Sequence, residues 1–107
     1  MSSLLASVLD KFRLTGKTIV ITGGSRGLGL EFGRALASVG ANIAAIDLGN
    51  EASKEFSELS SLYKDSEFRY YESDVTDYNA LKQTIDQVRK EFGSIDGWYV
   101  RDETTPL

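Results

Sequence analysis

An α/β fold with a parallel sheet covered on both faces is predicted by three observations. Short β-branched runs alternate with stretches whose apolar residues recur at helical spacing. A glycine-rich segment joins the first run to the first helix, and the second run ends on an aspartate, Asp47. Strands separated by single helices must run parallel. Ten glycines and one proline in 107 residues, 41% hydrophobic and 26% charged, suit one element-rich domain over residues 1–107 rather than disorder.

The elements follow in order. Leu4, Leu5, Val8, Leu9 and Phe12 share one face of an N-terminal surface helix. Lys17 to Thr22 is short, β-branched and bounded by glycine, as a strand buried on both faces should be. From Gly27 a helix is expected with Leu28, Phe32, Ala35, Leu36 and Val39 as its apolar stripe and Gly40 as its stop. Ala41 to Ile46 forms the second strand. Gly49 and Asn50 are expected to cap a second helix carrying Ala52, Phe56, Leu59 and Leu62. Phe68 to Glu72 is the third strand. Thr76 or Asp77 caps a third helix with Leu81, Ile85, Val88 and Phe92, ended by Gly93, and a fourth strand begins near Ser94 and Ile95. Arg101 to Leu107 lacks periodicity and is expected to be disordered.

Composition removes several chemistries. With no cysteine or histidine there is no disulfide, no thiolate or imidazole for zinc and no Ser-His or Cys-His pair, so no metal site is expected. Twelve basic against sixteen acidic side chains, without basic clusters, argue against nucleic acid. Leu4 to Leu9 is too short to span a bilayer and has no basic leader, so the expectation is a cytoplasmic protein without a membrane partner.

Thr22-Gly-Gly-Ser-Arg-Gly-Leu-Gly29 lies where strand turns into helix. A pyrophosphate is favoured there, because unpaired N–H groups and the positive end of the helix dipole both face it. Gly23 permits the turn, Gly27 lets the backbone approach phosphate, and Gly29 lets helix and strand pack closely. Asp47, ending the second strand, can accept hydrogen bonds from ribose hydroxyls and would repel a 2′-phosphate, which favours NAD over NADP. Arg26 in the loop could instead attract that phosphate. Asp74-Val75 is by itself a strand end and a turn; beside a nucleotide, the Asp side chain could meet the adenine amino group while the Val backbone follows the base edge.

Together these residues resemble the short-chain dehydrogenase/reductase family, whose signature Thr-Gly-x-x-x-Gly-x-Gly is matched by Thr22 to Gly29. The resemblance runs from Leu14 to Gly97. It implies a Rossmann-type three-layer sheet of about four strands in order 3-2-1-4, an incomplete version of the fold. It also implies an NAD(P)-dependent oxidoreductase acting on alcohols and carbonyls. The expected cofactor contacts are Thr22, Gly23, Ser25, Arg26, Gly27, Leu28 and Gly29 in the loop, Asp47 and Leu48 after the second strand, and Asp74 and Val75 after the third.

Where the family continues through Asn-Asn-Ala-Gly, this chain reads Trp98-Tyr-Val-Arg, so 98–107 is expected to be a divergent tail. The family's catalytic Ser and Tyr-x-x-x-Lys would fall beyond Leu107. Tyr78-Asn-Ala-Leu-Lys82 has that spacing, but it opens the helix after the third strand rather than the fifth and is expected on the surface. No catalytic residue is therefore assigned. The expectation is the NAD(P)-binding portion of such an oxidoreductase, truncated and inactive as this chain. A non-catalytic nucleotide-binding or interaction fragment, self-associating or pairing through its exposed fourth strand, and a non-functional truncation product remain as alternatives.

Overall fold

The computed structural model describes residues 11–100. The expected N-terminal helix lies outside them except for its last residues, and so does the 101–107 segment. Seven elements follow in order: β1 (Thr18–Thr22), α1 (Gly27–Ser38), β2 (Asn42–Asp47), α2 (Lys54–Leu62), β3 (Phe68–Glu72), α3 (Tyr78–Phe92) and β4 (Gly97–Tyr99). They form a four-stranded sheet in the predicted order β3-β2-β1-β4, with β1 pairing parallel to β2 and β4 and β2 parallel to β3. No helix among the described residues is long and apolar enough to cross a membrane.

The alternation of strand side chains divides the core in two. Ile21, Ile43 and Ala45 pack with Leu30 and Ala37 of α1 and Phe56 and Leu59 of α2. Val20, Ala44, Ile46 and Tyr71 pack with Val88 of α3. Helices thus cover both faces, as a parallel sheet requires.

Several sequence expectations need correction. The buried face of α1 is Gly29, Leu30, Gly33 and Ala37, whereas Leu28, Phe32 and Ala35 are exposed. Small residues face the sheet because this helix lies so close to it: a Cβ on Gly33 would already stand 3.5 Å from both Ile21 and Ile43. The N-cap of α2 is Ser53, not Gly49 or Asn50, and its side chain accepts the Phe56 N–H at 3.1 Å. Leu62, in the last turn of that helix, is exposed rather than packed. The fourth strand starts at Gly97, later than Ser94, because Asp96 is first used as a clamp: its N–H donates to the Thr18 carbonyl and its carboxylate accepts the Thr18 N–H at 2.9 Å. The strand then takes in Trp98 and Tyr99, the first two residues of the segment read as a tail. Of the two candidate caps for α3, Asp77 is the one used, accepting the Ala80 N–H.

The β3 edge is fastened to α3 by an ionic cluster. The Tyr71 hydroxyl donates to Glu91, and Arg69 bridges Glu67 at 2.7 Å and Glu91 at 3.4 Å while lying over the Phe92 ring. Burial, then the bond to Glu91, pushes the Tyr71 phenol above its usual range, and the same bond is the chief cause holding Glu91 below the ordinary carboxylate range. A depressed carboxylate contributes stability above its unfolded value and loses it as pH falls through the folded one; a raised phenol contributes below its unfolded value and loses it as pH rises. The contact should therefore act in full between about pH 4.3 and about pH 10, the ordinary Glu and Tyr values. Tyr71→Phe is expected to lower the urea midpoint by a constant amount inside that window, with the gap from wild type closing at either end. A gap that stays constant at pH 3 would show that the hydroxyl contributes nothing through Glu91.

Candidate functional site

The sheet order reverses beside β1: the chain steps from β1 outward to β2 and β3, then crosses back so that β4 pairs with the other side of β1. At such a reversal the loops leaving the strands diverge and open a crevice at the carboxyl ends. Here a crevice of ≈ 490 Å³ lies there, lined by Gly23 after β1, Asp47 at the end of β2, Ser73, Asp74 and Val75 after β3, Tyr99 of β4 and the first turn of α1.

Its floor is the glycine loop. Gly23 adopts φ +68° and donates its N–H to the Ile46 carbonyl at 2.7 Å, tying the loop to β2. Gly27 has φ +54° and no atom within 4 Å of where a Cβ would stand, so its surface is open. At Gly29 a Cβ would lie 2.3 Å from the Gly23 carbonyl oxygen, so only glycine lets α1 start this close to β1. The helix begins after Arg26, whose backbone is extended and whose side chain provides no cap; no acidic residue occupies the first turn. The orphan N–H groups there are left to the crevice, whereas Ser53 and Asp77 cap the other two helices.

The walls bring together residues distant in sequence. Asp47 is half-buried, accepts the Leu48 N–H at Oδ1 and holds the Ser73 N–H with its carbonyl at 2.9 Å. Asp74 Oδ1 accepts the Thr76 hydroxyl and N–H at 2.6 and 2.9 Å, and those bonds, hydroxyl first, lower its pKa. The Arg26 guanidinium reaches across to Gly49, 3.8 Å from where a side chain there would begin. The Tyr70 hydroxyl donates to the Gly49 carbonyl and anchors this corner. This set fits a dinucleotide's adenosine side: donors without acceptors at the loop for phosphate, a carboxylate at the next strand for ribose, and apolar Ile46, Leu48 and Val75 around a flat base.

Of the eleven expected contacts, nine line the crevice and two do not. Thr22 is buried at the end of β1. Ser25 is 1% exposed, and its hydroxyl accepts the Ser53 N–H at 2.6 Å while the Ser53 hydroxyl donates to the Ser25 carbonyl. Ser25 thus couples the loop to the α2 cap and does not line the crevice. Residues that sequence reasoning missed also line the crevice, among them Ser73, Thr76, Gly49 and Tyr99. Tyr99, not Trp98, faces it, because the pairing of Ile21 with Tyr99 turns that side chain toward Phe32, with which it stacks at 4.5 Å. Gly24 was missed as well: a Cβ there would strike Ala45 and the Ile21 carbonyl at 2.9 Å. Tyr78 is 76% exposed and outside the crevice, as expected of a surface residue.

Residues 17–100 match the sequence profile of the short chain dehydrogenase family. The chain belongs to the short-chain dehydrogenases. It is 36% identical over 95 residues to the NADP-dependent mannitol dehydrogenase of Hypocrea jecorina, covering 85% of this chain and 35% of that enzyme. Among solved structures, the NADPH-dependent 3-quinuclidinone reductase from Rhodotorula rubra superposes with a TM-score of 0.78 at 30% identity, over 92% of this chain and 37% of that one. An NAD+-bound xylitol dehydrogenase superposes with a TM-score of 0.72 at 35% identity, over 78% and 32%. This short-chain dehydrogenase chain therefore spans about a third of the length of these relatives.

Proposed function

We propose that this chain forms the adenosine and pyrophosphate half of a short-chain dehydrogenase cofactor site, with NAD preferred over NADP. The observation that carries the reading is the convergence, in one crevice, of the uncapped start of α1 with the Asp47 and Asp74 carboxylates. Gly23, Arg26, Gly27, Leu28 and Gly29 would hold the pyrophosphate, Asp47 and Leu48 the ribose, and Asp74 and Val75 the adenine. NAD, when bound, supplies a hydride acceptor at its nicotinamide. The chain's own residues bind and orient the adenosine end. Among the described residues, the crevice lining holds no Tyr-Lys pair to move a proton for an alcohol or carbonyl, and the property proposed for these 107 residues is cofactor binding. Relatives named for mannitol and xylitol make polyols the substrate class to offer a longer chain that contains this one.

Calorimetric titration with NAD, ADP-ribose and AMP should give weak and similar affinities for all three, since the nicotinamide adds few contacts, and no NADH should form from polyols above a Gly27→Trp control. Failure of all three to bind would reject the site; NAD binding far tighter than ADP-ribose would show that the nicotinamide pocket is also present.

The β4 edge supports a second property of the same chain. Exposed Trp98 and Val100 and the Phe32–Tyr99 stack border a strand that, among the described residues, pairs on one side only, which favours association through that edge. Sedimentation of the titrated sample should show a mass rising with concentration; a constant monomer mass would exclude it.

A further inference from the structure

Resting on the adenosine reading of the crevice, we propose that the Ser73 hydroxyl reads the purine base by donating a hydrogen bond to one of its ring nitrogens. Ser73 directly follows β3, and its N–H is fixed on the Asp47 carbonyl, so its position is set by the sheet rather than by a loose loop. The residue is 7% exposed and lines the crevice. Among the described residues, its Oγ is the buried side-chain oxygen with no hydrogen-bond partner.

That isolation is unusual within this molecule. The other buried serines are satisfied: Ser25 by the Ser53 N–H, and Ser66 by the Ala37 carbonyl. Buried Thr84 likewise donates to the Ala80 carbonyl. A buried hydroxyl left unpaired is costly, and folds rarely keep one without a use. Beside the polar Asp47, Asp74 and Thr76, the crevice that Ser73 lines also carries apolar Ile46, Leu48 and Val75, which suit the faces of a flat heteroaromatic ring. A carboxylate only accepts, so Asp74 can serve an exocyclic amine; a hydroxyl also donates, so Ser73 is a side chain that can meet a ring nitrogen. A site built around such a hydroxyl penalises a base lacking the matching nitrogen, because the hydroxyl is then buried unpaired.

The test uses the 107-residue chain with AMP and its 1-deaza, 3-deaza and 7-deaza analogues, titrated by calorimetry against wild type and Ser73→Ala, together with the Tm of both unliganded proteins. Ser73→Ala should weaken AMP about tenfold. One deaza analogue should bind wild type about tenfold more weakly than AMP and bind Ser73→Ala equally well. The unliganded Tm should be unchanged or higher, since alanine removes an orphan hydroxyl and breaks no bond. Equal AMP affinity of wild type and Ser73→Ala would overturn the role of Ser73 and leave the site intact. A lowered Tm with a uniform loss across all four ligands would make the residue structural and overturn it too. Wild type binding none of the four would instead reject the adenosine reading on which the proposal stands.

Discussion

Gly29→Ala is expected to abolish detectable AMP binding and to lower the Tm by roughly 10 °C or more, corresponding to up to about 3 kcal/mol of overpacking in a domain of this size. The sign is the informative part. Inside an ordinary helix, glycine to alanine stabilises by about 0.8–1.0 kcal/mol. Here the added methyl would meet the Gly23 carbonyl oxygen at 2.3 Å and its carbon at 2.8 Å, and both are backbone atoms that no rotamer change can move. Relief requires the loop to lift away from α1, which breaks the Gly23 bond to Ile46 and with it the floor of the crevice. Gly27→Ala is the control, because no atom lies within 4 Å of its Cβ position. Its cost is the left-handed conformation alone, roughly 1–2 kcal/mol, while its methyl would enter the open space assigned to phosphate. Urea denaturation and calorimetry should thus separate a variant that fails mainly by folding from one that fails mainly by binding. A Gly29→Ala protein as stable as wild type would show that helix and loop are not in contact.

The second large effect is expected in cofactor choice. Asp47→Ala combined with Leu48→Arg should shift the ratio of affinities for adenosine 2′,5′-bisphosphate and AMP about 100-fold toward the bisphosphate. Two like charges about 4 Å apart repel by about 1 kcal/mol in water and about 4 kcal/mol at an intermediate dielectric, and each tenfold step in affinity is about 1.4 kcal/mol. Removing Asp47 takes away that repulsion, and the new guanidinium adds a charge-assisted bond. Leu48 is 67% exposed, so arginine there disturbs no packing. The native Arg26 guanidinium, reaching over to Gly49, already offers some attraction to a 2′-phosphate, and Arg26→Ala should therefore sharpen the wild-type preference for AMP. An affinity ratio unchanged by the double substitution would place the ribose somewhere other than against Asp47.

By itself the sequence determined the fold class, the strand order, the limits of β3 and the placement of a glycine loop between the first strand and helix. The fold class, the limits of β3 and the placement of the loop follow from local signals, namely β-branched runs, helical periodicity and the crossover logic that joins parallel strands, while the strand order was implied by the family resemblance that Thr22 to Gly29, Asp47 and Asp74-Val75 carry. It also identified Asp47 as a strand-end carboxylate, because a charged residue closing an apolar run is visible along the chain, and it placed Asp74 just beyond the third strand. Only the tertiary structure decided which face of α1 is buried. Glycines at 29 and 33 contribute no side chain to a periodicity, yet both are buried: a Cβ on Gly29 would strike the Gly23 carbonyl and one on Gly33 would already touch Ile21 and Ile43, while the large residues Leu28 and Phe32 are turned outward. The same holds for Ser25 and Ser53, 28 residues apart, whose mutual bonds take one expected ligand contact out of the crevice. Tyr99 and Ser73 enter the crevice through strand register and through the Asp47 carbonyl that fixes Ser73, and both are pairings across the sheet that no single stretch of sequence encodes.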